Sequence, residues 1–331
     1  MHLSVVIPVY NSATTLPILI ERLRAVLDRA GREYEIVLVD DGSQDDSWRV
    51  LCDLQAANRR QIVAVQLMRN FGQHNALMCG FRHAQGEFVV TIDDDLQNPP
   101  EEIPRLLHAI ESQNLDLVYG TFAAKQHDGW RNLGSWVVNR FFRLVFQTDV
   151  PVSNCRIIRR ELLEAIFSYT LNYTYLDGLL AWNTRRVGAI SVAHHPRDSG
   201  RSGYSVAKLL WLALNLFTNF SLLPLQVVSG LGLITAGAGL CVGSWYLVQF
   251  LLNQITVPGY ASIIISILVL GGLQLLSLGV IGEYLGRLHL NVNRKPQYTV
   301  RTVRANTPAA FVHQAVPAPA ETTQAVHGPA S

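Results

Sequence analysis

From residue 3 to residue 119 the chain switches repeatedly between two spacings of apolar side chains. Short β-branched runs, Leu3–Ile7, Glu35–Val39, Ile62–Leu67, Phe88–Ile92 and Leu115–Tyr119, have the composition of strands. Between them apolar residues recur every three or four positions, the spacing of a helix with one buried face. One helix is expected from about Thr15, with Pro17 in its first turn and Leu16, Leu19, Ile20, Leu23 and Leu27 on one side. Others open near Asp45-Asp46-Ser47 or cover Gln73–Ala84 and Glu101–Ser112. Regular alternation of this kind predicts an α/β fold, a parallel sheet joined by crossover helices.

The pattern changes beyond residue 206. From Leu209 to Gly282 there is no Asp, Glu, Lys, Arg or His. The expected organisation is a catalytic domain over 1–206, an interfacial helix over 207–221 starting at Lys208 and Trp211, and two transmembrane helices within 222–283. Each span has room for about 20 apolar residues, one between Leu222 and Leu252 and one between Tyr260 and Ile281, joined by the uncharged turn Asn253–Gly259. A C-terminal segment, 284–304, follows, and then a disordered Ala/Pro/Thr-rich tail, 305–331. Arg287, Arg294 and Lys295 follow the second span, so the positive-inside rule puts the catalytic domain and the C-terminal segment in the cytoplasm. Glu283, at the membrane boundary, is expected to meet a basic residue or interfacial water.

Composition adds little beyond this. A net charge of +2 over 331 residues gives no reason to expect a nucleic-acid partner. Cys52, Cys79, Cys155 and Cys241 have neither C-x-x-C nor zinc-ligand spacing and read as reduced thiols. Leu3–Ile7 is too short an apolar run for a signal peptide. Over Trp130–Phe146, tryptophans and phenylalanines stand beside Arg131, Arg140 and Arg143. That mixture suits a membrane surface, a lipid phosphate or a helix packed on the sheet.

In an open α/β sheet, ligands gather beyond the carboxyl ends of the strands. Three strands here end in polar signatures: Pro8-Val9-Tyr10-Asn11, Asp40-Asp41-Gly42-Ser43 and Asp93-Asp94-Asp95. The middle one, taken alone, is also a turn with a helix cap; the three together argue for an active site. If extended, Asp93 and Asp95 would share a side about 7 Å apart, with Asp94 pointing away. Alternate carboxylates can then hold a hard cation, Mg²⁺ or Mn²⁺, with substrate phosphate oxygens, and Gln97 can add a carbonyl. A calcium loop would need a glycine and a distal glutamate that are missing. His194-His195 has no third ligand at metal-binding spacing.

Val5-Val6-Ile7-Pro8-Val9-Tyr10-Asn11, Val39-Asp40-Asp41-Gly42-Ser43 and Asp93-x-Asp95-Leu96-Gln97-Asn98-Pro99-Pro100 resemble the family 2 glycosyltransferases, in the polyprenyl-phosphate (dolichyl-phosphate mannose synthase-like) branch. Arg69-Asn70-Phe71-Gly72-Gln73-His74 and Gln97–Arg105 look closest to the bacterial undecaprenyl-phosphate formamido-arabinose transferases, and the bactoprenol glucosyltransferases are similar. The resemblance implies a GT-A (Rossmann-like) nucleotide-sugar-binding domain plus a two-helix transmembrane domain. It implies an inverting transferase of the bacterial inner membrane, moving sugar from a UDP-type nucleotide sugar to polyprenyl phosphate for the cell envelope. A homo-oligomer is expected. Pro8, Tyr10, Asn11, Val39, Asp41, Asp93, Asp94 and Arg197 would meet the nucleotide sugar, and Asp93, Asp95 and Gln97 the metal. Arg131, Arg140 and Arg201 would meet the lipid phosphate, and Asp95, Asn154 and Arg201 would serve catalysis.

Relatives differ at three positions. Some have Asp at Asn154; Asn is no proton acceptor, but a phosphate monoester, with a second pKa of about 6, is already ionised at neutral pH. Relatives usually have Glu where Ser12 stands, and Ser-Lys-Tyr-Ser where this chain reads Ser202-Gly203-Tyr204-Ser205, leaving Arg201 as the substitute cation. Two rival readings are a processive polysaccharide synthase, which needs more spans and a Gln-x-x-Arg-Trp segment, and a catalytically lapsed nucleotide-sugar-binding scaffold.

Overall fold

A computed structural model describes residues 2–121, 151–169, 175–193, 223–252, 260–292 and 296–306. In chain order its elements are β1 (Leu3–Val9), α1 (Leu16–Ala30), β2 (Tyr34–Asp40), α2 (Ser47–Ala57), β3 (Ile62–Leu67), α3 (Gln73–His83) and β4 (Phe88–Thr91). A single 3₁₀ turn, Pro100–Glu102, leads into α4 (Ile103–Ser112). Then come β5 (Leu117–Thr121), β6 (Arg156–Arg159), α5 (Arg160–Ile166), α6 (Leu176–Asn183) and β7 (Val187–Ser191). Two long helices, α7 (Leu223–Leu251) and α8 (Tyr260–Val292), precede a last strand, β8 (Val300–Arg304).

The strands form one sheet in the order β7-β5-β6-β4-β1-β2-β3-β8. β4, β1, β2 and β3 are parallel, as the alternating pattern predicts, and β5 is parallel to β7. The sheet is nevertheless mixed, because β6 runs against β4 and β5, and β8 against β3. This is a GT-A-like α/β fold. Successive side chains of β1 go to opposite faces. Val5 and Ile7 pack with Leu19 and Leu23 of α1, Leu51 of α2 and Leu106 of α4. Val6 packs with Ala76, Leu77 and Phe81 of α3 and Leu163 of α5. Helices on both faces explain why the central strands are mostly apolar rather than alternating apolar and polar.

Several boundaries differ from expectation: β1 runs on through Pro8 to Val9, and β5 spans Leu117–Thr121, two residues later than read. β4 leaves the ladder after Thr91, one residue early, because the chain turns there toward Pro99-Pro100. α8 passes Ile281 and continues through Glu283, Arg287 and His289 to Val292, since charged residues do not interrupt a helix and the first proline is Pro296. β8 lies in the segment for which no element is expected, with Ala64 opposite Arg304 and Val65 opposite Val303.

Both anticipated long helices are present. One window among the described residues, Val269–Gly286 in α8, is long and apolar enough to cross a membrane; α7 has a shorter apolar stretch, Leu225–Gly239. The interfacial helix, the turn at 253–259 and the tail from 307 lie outside the described residues.

Candidate active site

The three strand ends do meet, and hydrogen bonds fasten them. Asp94 is the hub. Its Oδ2 accepts from the Tyr10 N–H (3.0 Å) and the Ser12 hydroxyl (2.5 Å), and its backbone carbonyl accepts from the Thr15 hydroxyl (2.7 Å). Asp94 therefore ties the loop after β4 to the loop after β1. Ser12 takes part in this tie, and its N–H also donates to Ser47 Oγ (2.8 Å). Asn11 sits at φ 54°, a conformation that Asn tolerates better than most residues. Its N–H donates to Ser43 Oγ (3.0 Å) and its side-chain oxygen accepts from the Gln44 N–H (2.8 Å), joining the loops after β1 and β2.

The extended geometry expected for Asp93–Asp95 is not adopted. A turn runs through Asp94 and Asp95, and Leu96 is at φ 62°, so strand alternation does not decide which carboxylates share a side. Asp93 is instead held by two neutral amides: Gln73 Nε2 donates to Oδ1 (2.6 Å) and Asn154 Nδ2 to Oδ2 (3.0 Å). Burial pushes the Asp93 carboxyl up to about 6; the Asn154 hydrogen bond pulls it down, and the neighbouring Asp95 and Asp94 push it further up. The Gln97 N–H donates to Asp95 Oδ1 (3.2 Å). Three consecutive acids, one bonded only by neutral donors, fit a hard divalent cation. Among the described residues no group of three or more His, Cys, Asp or Glu side chains forms a complete cage.

Pro8 of β1 and Val39 of β2 are register partners and both are buried. Tyr10 is 44% exposed. Asp41 is only 3% exposed, and its two oxygens are engaged, Oδ1 by the Phe71 N–H (2.7 Å) and Oδ2 by the Gly72 N–H (2.9 Å). It fastens the loop that opens α3. The backbones meet here too: a Cβ on Gly42, at φ 68°, would lie 2.5 Å from the Arg69 carbonyl carbon.

Burial pushes the Asp41 carboxyl up to about 6. The ordinary carboxylate value is near 4, so between about 4 and about 6 the folded chain holds a proton that the unfolded chain has lost. The Asp41 contribution to stability is therefore full below about pH 4 and lost as pH rises through about 6. In thermal melts from pH 4 to 7.5, the margin of wild type over Asp41→Asn should shrink with rising pH. Parallel curves would show that Asp41 does not titrate in this range.

Gln73 is a site residue that sequence reading missed, although it opens a helix at the same sheet edge. Asn154 stands beside Asp93, as a donor to its carboxylate. Arg131, Arg140, Arg197, Arg201 and the His194-His195 pair lie outside the described residues.

Comparison with known proteins is consistent with this geometry. Residues 4–167 match the model of glycosyl transferase family 2. An undecaprenyl-phosphate 4-deoxy-4-formamido-L-arabinose transferase of Pectobacterium carotovorum subsp. carotovorum is 38% identical over 316 residues, 93% of this chain and 95% of that one. The transferase of that name from Aeromonas hydrophila subsp. hydrophila is 35% identical over 313 residues, 92% and 95% of the two chains. Among solved structures, glucosyl-3-phosphoglycerate synthase from Mycobacterium tuberculosis, in complex with Mn²⁺, UDP and phosphoglyceric acid, superposes with a TM-score of 0.49. It is 19% identical over 65% of this chain and 77% of that one.

Proposed function

We propose a reaction from an established premise: the chain belongs to glycosyl transferase family 2 and is a glycosyltransferase. The reaction is transfer of a glycosyl group from a nucleoside diphosphate sugar to a polyprenyl phosphate in the bacterial inner membrane, with inversion at the anomeric carbon. One observation carries it. The similarity to an undecaprenyl-phosphate transferase covers 93% of the chain, too much to leave out either long helix.

The fold supports a membrane hairpin. Large apolar side chains stand out from both helices, Leu233 of α7 at 75% exposure and Leu275 of α8 at 72%, which suits lipid better than water. The chain leaves the sheet after β7 and re-enters it at β8, so both ends of the intervening segment would lie on one side of a membrane that it enters. That requires an even number of crossings, and α7 and α8 would provide two. Arg287, Arg294 and Lys295 favour the cytoplasmic side for the sheet.

In this reading the nucleotide lies along the carboxyl ends of β1 and β2, against Tyr10, with Pro8, Asn11, Val39 and Asp41 building the wall behind it. Asp93, Asp95 and Gln97 would hold Mg²⁺ or Mn²⁺, which when bound offsets charge developing on the departing diphosphate. Asp94 acts indirectly, by fixing the turn that carries them. The acceptor phosphate, with its second pKa of about 6, reaches the site ionised. Its oxygen forms the new bond to the anomeric carbon as the bond to the diphosphate oxygen breaks, and no proton has to be removed. Arg197 would serve the donor phosphates, Arg131 and Arg140 the lipid phosphate, and Arg201 both.

The test offers the detergent-solubilised chain undecaprenyl phosphate and a panel of nucleotide sugars, starting with one carrying 4-deoxy-4-formamido-L-arabinose. Mass spectrometry should find the lipid heavier by one glycosyl unit, and only with divalent metal present. A ladder of units would indicate a processive synthase. Nucleotide-sugar binding without any turnover would indicate a scaffold.

A further inference from the structure

A line of hydrogen bonds leads from the interior of the sheet to Asp93. It starts at Arg156, the first residue of β6, whose side chain is fully buried. One guanidinium nitrogen, Nη1, pairs with Asp177 Oδ1 on α6, and the Tyr119 hydroxyl donates to the same oxygen (2.9 Å). Arg156 Nε donates to the Thr91 hydroxyl oxygen (3.2 Å). The Thr91 hydroxyl in turn donates to the backbone carbonyl of Asn154 (2.6 Å), and the Asn154 side chain donates to Asp93 Oδ2 (3.0 Å). Each link has a donor and an acceptor in the correct sense. The Thr91 hydroxyl accepts once and donates once, so its hydrogen can point only toward Asn154.

A buried guanidinium is costly unless paired, and this one leaves Nη2 without a partner among the described residues. An apolar pair would fill the same space at less cost. What the ionic pair does here is orient Thr91, which stands two residues before Asp93 at the point where β4 ends. We propose that Thr91, Arg156 and Asp177 are positioning residues that fix Asn154, and through it the Asp93 carboxylate, in the orientation that receives the divalent cation. The proposal builds on the metal assignment of the preceding section and adds how one ligand is aimed.

Three single variants and one double variant test it by Mn²⁺ binding, read by electron paramagnetic resonance on the solubilised full chain without substrates. Thr91→Val keeps shape and strand preference but loses the hydroxyl, and should weaken Mn²⁺ binding about tenfold, one lost hydrogen bond to a ligand's support. Thr91→Ser restores the hydroxyl and should bind within a factor of two of wild type. Asn154→Ala removes the last link, and adding Thr91→Val to it should weaken binding no further, because both act through one contact. A merely structural role for Thr91 would lower the melting temperature and leave Mn²⁺ affinity unchanged below it, which overturns the proposal. Strictly additive losses in the double variant would also overturn it. If Thr91→Val does not fold, the exposed Asn154→Ala variant decides alone: wild-type Mn²⁺ affinity there removes the relay. If wild type binds no Mn²⁺ at all, the metal assignment falls, and the relay with it. Mn²⁺ binding without lipid glycosylation leaves the relay testable and removes only the proposed reaction.

Discussion

Asp93→Asn and Asp95→Asn should each lower turnover about a thousandfold while the protein stays folded in the membrane, since a metal ligand is worth several kcal/mol at the transition state and each tenfold in rate is 1.36 kcal/mol. The substitution preserves size and removes charge. At position 93 it does more. Both oxygens of Asp93 accept from amide donors, Gln73 on one side and Asn154 on the other. An asparagine there turns its own NH₂ toward one of them, and that amide must flip its oxygen inward to accept. The effect on stability should have the opposite sign. Burial and two adjacent acids already push the Asp93 carboxyl up to about 6, so removing its charge relieves crowding when no metal is bound. The informative pair of measurements is product formation by mass spectrometry and the melting temperature without metal. Turnover within a factor of two of wild type in both variants would remove the metal assignment. A collapse of stability in both would mean that the acids hold the fold rather than a ligand.

Asn154→Asp should also lose turnover, by roughly ten- to a hundredfold near neutral pH, although the same exchange would be a gain if a missing base limited the reaction. Asn154 Nδ2 lies 3.0 Å from Asp93 Oδ2. A carboxylate in its place sets two acids oxygen to oxygen, and such pairs ionise together only with difficulty. Either Asp93 loses its orientation or one of the pair takes up a proton; both weaken the site. The acceptor phosphate has no proton to give up above about pH 6, so the new carboxylate has nothing to do as a base. Asn154→Ala, which removes the hydrogen bond without adding charge, should cost less than Asn154→Asp. Turnover of the three proteins is measured from roughly pH 6 to 8.5, above the phosphate's second pKa. A large gain in the Asp variant, with a new basic limb in its profile, would show that proton removal was limiting.

The elements of the first 120 residues were legible because their signal is local. β1 to β4 and α1 to α4 can each be read from their own apolar spacing, and the meeting of three polar strand ends follows from the parallel topology. What was not legible depends on pairing across long distances or on a departure from regular geometry. Leu96 at positive φ turns the acids out of an extended run, and nothing in Asp93-Asp94-Asp95 announces it. Asp177 lies on a helix with no motif around it; its partner Arg156 is 21 residues away, so only the folded chain brings them together. Gln73 was within reach, standing first in a helix at the right edge of the sheet. β8 reads as a charged linker, since Arg301 and Arg304 flank Thr302 and Val303, which is how an edge strand looks when one side faces water.

That edge strand also fixes an order of events during synthesis. The outer edge of β3 is made early, yet the residue that meets it near Met68, Arg301, comes 233 positions later. At cellular elongation rates of about 5–20 residues per second, β3 therefore shows its unpaired N–H and C=O groups for roughly 10 to 50 seconds. In that interval both long helices leave the ribosome, and in the proposed membrane hairpin they would enter the bilayer before β8 turns back to the sheet. Completion of the sheet would then come after insertion. A chain released before β8 keeps an open edge, a template for pairing with other chains, and would be recognisable to the cell as unfinished.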